Sequence, residues 1–382
     1  MKKSVLFIVA FALCNLVEAQ YTLRLVIDKV ATKQLDDIYV AGSFNNWNPS
    51  DPNYKLKPFG NNRKAIVLKD LVPGKYQFKF TRGSWQKGET TAKGVDIENR
   101  EADVNQDVSQ NITIEGWKDD FPDKPKPNTA TAQVKIIDTA FKIPQLNRTR
   151  RIWIYLPKSY TTSKKIYPVL YMTDGQNLFN EQTAPFGEWG IDETLDSLQA
   201  KGEKECIVVG IDNGGDKRMT EYNPYDHEKF GKGEGATYVA FLVETLKPFI
   251  DKNYRTITGP SNTYIAGSSM GGLISMYAII KYPNIFGGAG IFSPAFWTAP
   301  SIYDDAIKAK IPGMAHKFYF YAGGSESGVM VPDMDKMISI IESKGAYHVQ
   351  RYMIPLGKHN ESTWRKEFPI FSNSLSNKYY RV

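Results

Sequence analysis

The sequence predicts two domains of different class, an all-β sandwich followed by an α/β domain. Three observations carry this prediction. Short extended runs separated by polar turns fill the first part of the 382 residues. A charged, proline-rich stretch, Lys118-Asp119-Asp120-Phe121-Pro122-Asp123-Lys124-Pro125-Lys126-Pro127-Asn128, then breaks the pattern. Beyond it, apolar strand-like runs alternate with helical periodicity, which implies a largely parallel sheet covered by helices. A chain of this length can bury two cores.

The elements follow in order. Lys2-Lys3, an apolar run from Val5 to about Val17, and Val17-Glu18-Ala19 before Gln20 have the form of a secretory signal. The run is short for a membrane span, which needs about 20 apolar residues. Cys14 follows Leu13 where a lipoprotein signal wants a small residue, so cleavage after Ala19 is the reading, with residues 1–19 as signal and an exported location, periplasmic or extracellular. Cys206 then remains as the one cysteine of the mature chain, and no internal disulfide is available. It opens the apolar run Ile207-Val208-Val209-Gly210-Ile211 and reads as a small buried hydrophobe.

Residues 20–117 hold the runs Leu23–Ile27, Ile38–Ala41, Ala65–Leu68, Tyr76–Phe80 and Ile112–Ile114, with Gly, Asn and Pro turns between them. Such spacing suggests an immunoglobulin-like sandwich. Residues 118–130 form the linker, semi-rigid by its prolines. Residues 131–382 form the α/β domain, in which Ile152-Trp153-Ile154-Tyr155 reads as a strand and Tyr238, Phe241, Leu242, Leu246 and Phe249 as one apolar helix face.

The stretch Gly267-Ser268-Ser269-Met270-Gly271 sits between the apolar run Thr263-Tyr264-Ile265-Ala266 and a helical segment, Gly272 to Lys281, ended by Pro283. Strand, sharp turn and helix are the context of the Gly-x-Ser-x-Gly nucleophile elbow of the α/β-hydrolase fold. Ser269 is therefore the candidate nucleophile. A serine hydroxyl needs a neutral imidazole to take its proton. Of four histidines, His227 precedes the elbow, while His316 and His348 begin apolar runs. His359 follows the run Val349–Ile354 in a loop, where open α/β sheets place ligands. The chain order Ser, acid, His asks for a carboxylate between them. Glu326 lies just past the run Lys317–Ala322, in Gly323-Gly324-Ser325-Glu326. Asp333 and Asp335 are rivals that begin a helix, where acidic residues suit the N-terminal dipole. The oxyanion of an acyl-transfer intermediate needs fixed N–H donors. Met270, after the nucleophile, supplies one, and Gln176, after the run Tyr167–Met172, is the choice for the second.

The chain from about Thr131 onward resembles the esterase D-type Putative esterase family, which includes carbohydrate esterase family 1. The stretches that carry the resemblance are Leu170 to Phe179, Tyr222-Asn223-Pro224, Pro248 to Thr256, the elbow, Ser293-Pro294-Ala295-Phe296-Trp297 and Gly357 to Trp364. The resemblance implies Ser269, His359 and an acid at Glu326, with Gln176 at the oxyanion position. It gives a reaction class and leaves the substrate open. Trp189, Phe296, Trp297 and Trp364 are candidates to line an acyl or sugar pocket.

The first domain, about residues 21–117, resembles carbohydrate-binding module family 48 through Val40 to Pro49 and Gly74 to Phe80. That implies sugar stacking on Trp47 and Trp85, with Tyr54 a weaker candidate. The turn Arg82 to Glu89 departs from the acidic turn of glycogen binders. The expected activity is hydrolysis of feruloyl or acetyl esters on a plant polysaccharide such as xylan. A siderophore esterase is the enzymatic alternative, and a carbohydrate-binding protein with an inactive hydrolase domain is the non-enzymatic one.

The formal charge is +7, from 48 basic and 41 acidic residues, without a basic block or basic-aromatic cluster. This argues against a nucleic-acid partner. No paired Cys/His spacing, acidic calcium loop or phosphate-binding glycine loop occurs, so neither metal nor cofactor is expected. Once the signal is cleaved, no membrane association is expected either.

Overall fold

The computed structural model describes residues 19–121, 125–312, 316–345 and 348–375. Apart from Ala19, the expected export signal, with Cys14, lies outside them. The chain divides into two units between Lys124 and Pro125.

The first unit is built from short strands. One sheet runs Lys57–Pro58, Lys64–Leu71, Tyr21–Val30, Val108–Ile114, and a second runs Tyr39–Gly42, Gly74–Thr81, Arg100–Val104. Leu23, Leu25 and Ile27 alternate inward along one strand, as period-two geometry requires. They meet Val40, Phe78, Phe80 and Trp117 in one core. The strand Arg100–Val104 is absent from the sequence reading because Arg-Glu-Ala-Asp-Val looks like polar loop. It nonetheless turns Ala102 and Val104 inward. Arg100 at its start pairs with the buried Glu89 at 2.8 Å.

The division between the units falls within the expected linker, of which residues 122–124 lie outside the described ones. Lys118–Asp120 form a 3-10 turn in which Asp120 accepts from the Trp117 N–H at 3.1 Å. Asp119 pairs with Arg82 and Lys33 of the first unit. On the other side, Thr129 Oγ1 donates to Glu188 and the Thr131 N–H to Asp192, both at 2.7 Å.

The second unit holds an eight-stranded sheet: β1 (Val134–Ile143), β2 (Arg148–Tyr155), β3 (Val169–Thr173), β4 (Ile207–Ile211), β5 (Thr263–Ser268), β6 (Gly288–Phe292), β7 (Lys317–Gly323) and β8 (His348–Ile354). The spatial order is β1-β2-β4-β3-β5-β6-β7-β8. The pair β1–β2 and the pair β2–β4 are antiparallel, and all other neighbours are parallel. The hairpin strand β1 reads poorly in sequence because exposed Lys135, Asp138 and Lys142 interrupt it.

Alternate residues of each central strand feed two cores. Tyr171, Val209, Ile265 and Ile291 face one core, with Leu273, Ile274 and Met276 of the helix Met270–Lys281. Leu170, Met172, Val208 and Phe292 face the other, with Leu195 and Phe368 of the helices Ile191–Ala200 and Glu361–Leu375. Burial on both faces explains the continuous apolar runs. The helix expected around Tyr238 to Phe249 is three pieces: Gly235–Phe241, a π-type turn Leu242–Leu246, and Lys247–Asn253. Pro248 lacks the N–H that regular helix bonding needs, and the wider turn sits just ahead of it. Cys206 is buried, and burial pushes its thiol up to about 12. Among the described residues, no helix is long and apolar enough to cross a membrane, and no three His, Cys, Asp or Glu side chains gather as metal ligands.

Candidate active site

Ser269 stands at the end of β5 with φ 59° and ψ −120°, a strained backbone for a residue with a side chain. The turn is held by its own amides: Ser269 N donates to Phe292 O at 2.9 Å, and Ala295 N and Leu273 N donate to Ser269 O at 3.0 and 3.1 Å. Gly267 and Gly271 make the sharp turn possible. A Cβ at either would collide with Thr173 Oγ1 of β3. Ser269 is half-buried, with its neighbours Ser268 and Met270 buried.

Glu326 lies beyond β7 and His359 beyond β8. His359 Nδ1 is 2.7 Å from Glu326 Oε2; the Glu326 side chain is 1% exposed and that of His359 38%. The other carboxylate oxygen accepts from Gly323 N and from Ser293 Oγ, both at 2.6 Å. Ser293 in turn accepts from Trp364 Nε1 at 2.9 Å. The indole also meets the His359 ring edge-on, 5.0 Å between centroids. The carboxylate and imidazole are thus fixed from three sides. A carboxylate so placed selects the tautomer that leaves Nε2 free as a base.

The rival acids are engaged elsewhere. Asp335 pairs with Arg351 at 2.6 Å, and Asp333 lies in the first turn of the helix Met330–Glu342. The other histidines also have local roles. His316 Nε2 bonds Pro283 O at 2.8 Å, His227 stacks on Phe230, and His348 begins edge strand β8.

Met270 begins the helix after the elbow, and Gln176 lies in the 3-10 turn Gly175–Asn177 after β3. First-turn N–H groups have no intrahelical acceptor and are free to bind an anion. The Gln176 loop is braced by groups the sequence reading missed. Asp174, at φ 56°, accepts from Arg218 Nε and Nη2 at 2.7 and 2.8 Å and from Asn213 Nδ2 at 2.7 Å. Gln176 Oε1 accepts from Asn213 N at 3.1 Å. The paired Asp174 holds the Arg218 guanidinium above its ordinary range, against the effect of burial. The available signal was position: Asn213 and Arg218 follow β4 at the carboxyl edge of the sheet, where such sites assemble.

Three of the four proposed lining aromatics are corrected by burial. Trp189 and Trp364 stack on each other at 5.7 Å, and Trp189 also packs edge-on against Phe292. Phe296 is fully buried and packs on Tyr303. These side chains fill core. Trp297 is 52% exposed and keeps a face for a ligand. Phe186 and Leu356, on the loops after β3 and β8, are also exposed. In the first unit, Trp47 and Trp85 lie together, ring centroids 6.3 Å apart, with Trp85 40% exposed. Tyr54 stacks on Phe44 instead.

The family model described as Putative esterase matches residues 143–373. The uncharacterized protein YbbA of Bacillus subtilis is 34% identical over 190 residues, 47% of this chain and 69% of YbbA. The endo-1,4-beta-xylanase/feruloyl esterase of Xylanibacter ruminicola is 26% identical over 228 residues, 58% of this chain but 28% of that larger protein. Among solved structures, the enterobactin esterase FES of Shigella flexneri covers 89% of this chain and 88% of its own, with 15% identity and a TM-score of 0.54. At that identity the likeness concerns fold.

Proposed function

The chain belongs to the Putative esterase family, and from that premise we propose that it is an exported serine carboxylic-ester hydrolase of plant polysaccharide. Ser269 attacks the ester carbonyl while His359 takes its proton and Glu326 stabilises the imidazolium. The N–H groups of Met270 and Gln176 hold the oxyanion. Collapse of the tetrahedral intermediate expels the sugar alkoxide, which takes the proton back from His359 and leaves an acyl-enzyme. Water, activated by the same imidazole, then releases the acid and restores the serine. The observation that carries this reading is the 2.7 Å contact between His359 and a buried Glu326, on loops at the sheet edge where β5 ends in Ser269.

The substrate is a feruloyl or acetyl ester on xylan. The xylanase/feruloyl esterase relative supports this choice. The first unit is an immunoglobulin-like sugar-binding sandwich, with Trp47 and Trp85 as its stacking pair. A catecholate siderophore ester is the second reading, because the enterobactin esterase shares the fold across most of this chain. The deciding experiment is a comparison of methyl ferulate, acetylated xylan and a catecholate siderophore as substrates. Preference for methyl ferulate supports the first reading. Preference for the siderophore replaces it with the second.

A further inference from the structure

Glu361 is the first residue of the helix Glu361–Leu375, two positions after His359. Its side chain points inward and the residue is 7% exposed. A buried carboxyl is costly unless paired or neutral. Its hydrogen-bond partner is Asn177, the residue after Gln176: Asn177 Nδ2 donates to Glu361 Oε1 at 3.2 Å. The same amide has a second, unanswered group. Asn177 Oδ1 is buried and finds no donor among the described residues.

A carboxylate cannot answer that oxygen, since it only accepts. A protonated carboxyl can do both: one oxygen accepts from Nδ2 while the other, as O–H, donates to Oδ1 of the same amide. We propose, on the esterase reading above, that Glu361 is a positioning residue which in its protonated form clamps the Gln176 oxyanion loop to the His359 loop through Asn177. Ionisation removes the donated bond and places a negative charge beside the loop that must hold an oxyanion.

The surroundings favour the neutral form. Burial, reinforced by the Asp174 carboxylate, pushes Glu361 up to about 7, against its own backbone N–H, His359 and Arg218. Asp174 comes from the oxyanion loop and Arg218 from the helix after β4, and these two are already paired with each other. Glu188, on the loop beside Gly187, pairs with Arg365 of the Glu361 helix at 3.4 Å.

The test is kcat and KM for p-nitrophenyl acetate from pH 5.5 to 9 in the full chain, for wild type, Glu361→Gln, Glu361→Ala and Ser269→Ala. Gln reproduces both bonds to Asn177 without a titrating proton. Wild type should lose kcat on the alkaline side, and Glu361→Gln should hold its pH 6 rate through that range. Glu361→Ala should lose kcat roughly tenfold to a hundredfold at every pH with KM little changed, the scale of a lost buried hydrogen bond. The same alkaline fall in Glu361→Gln as in wild type overturns the proposal, as does equal damage from Gln and Ala at pH 6. Ser269→Ala separates the two levels. If it is inactive while Glu361→Gln titrates like wild type, only the clamp fails; if it is active, the esterase reading fails first.

Discussion

Ser293 Oγ donates to Glu326 Oε1 at 2.6 Å while Glu326 Oε2 receives His359 Nδ1 at 2.7 Å. One buried carboxylate therefore joins the loops after β6, β7 and β8. Ser293 itself stands at φ 43° and receives the Trp364 indole N–H, so the proposed acid Glu326 is held by groups whose own positions are fixed.

Ser293→Ala should leave Trp364 Nε1 and Glu326 Oε1 each short of a partner. The expected loss in kcat/KM is about tenfold, the value of one buried hydrogen bond to a charged group. Steady-state kinetics on p-nitrophenyl acetate check it. An unchanged rate would remove Ser293 from the account of the acid.

Glu326→Gln should be severe and His359→Ala nearly as severe as loss of the serine, because these groups act as a unit. Asp333→Asn should be mild. If Asp333→Asn were instead the crippling change, the acid would be misassigned.

Stability should fall between about pH 4.5 and pH 7 through Glu361. Its carboxyl is ordinary in the unfolded chain but pushed up to about 7 in the fold. The native state therefore binds the extra proton across that window, and stability drops as pH rises. The share of Glu361 is about 3 kcal/mol. Glu193, also raised to about 7 by burial beside Asp192, adds a fall of the same sign. Urea unfolding at pH 5 and pH 7.5 should show a smaller difference for Glu361→Gln than for wild type. Identical differences in the two proteins would refute the assignment.

The Trp47→Ala, Trp85→Ala double variant should hydrolyse small soluble esters normally and release less ferulate from insoluble xylan. Tethering an enzyme to a polymer raises its effective concentration at each ester. Loss on both substrates would give the tryptophans a structural role, and loss on neither would make the first unit a spacer.

The legibility of the sequence varied with distance along the chain. Ser269 and the β5 strand were readable because the motif and its flanking runs are local. His359 and Glu326 were readable from chain order and loop position. Ser293, Asn213, Arg218 and Glu361 were not, because each acts through a partner 33 to 184 residues away, as Ser293–Glu326 and Asn177–Glu361 illustrate. Trp189 and Trp364 misled for the opposite reason. Trp364 closely follows His359 in sequence, which suggests a pocket wall, whereas its ring stacks on Trp189 and meets the His359 ring edge-on. The strand Arg100–Val104 and hairpin strand β1 were hidden by charged residues on their exposed faces.

Ser269 is the proposed nucleophile, and the rate of ester hydrolysis by Ser269→Ala decides whether it is. The variant should keep its circular dichroism spectrum and melting temperature, because an elbow hydroxyl contributes little packing. Its kcat/KM on p-nitrophenyl acetate should fall roughly a thousandfold or more. Near-normal turnover by a folded Ser269→Ala protein would contradict the account.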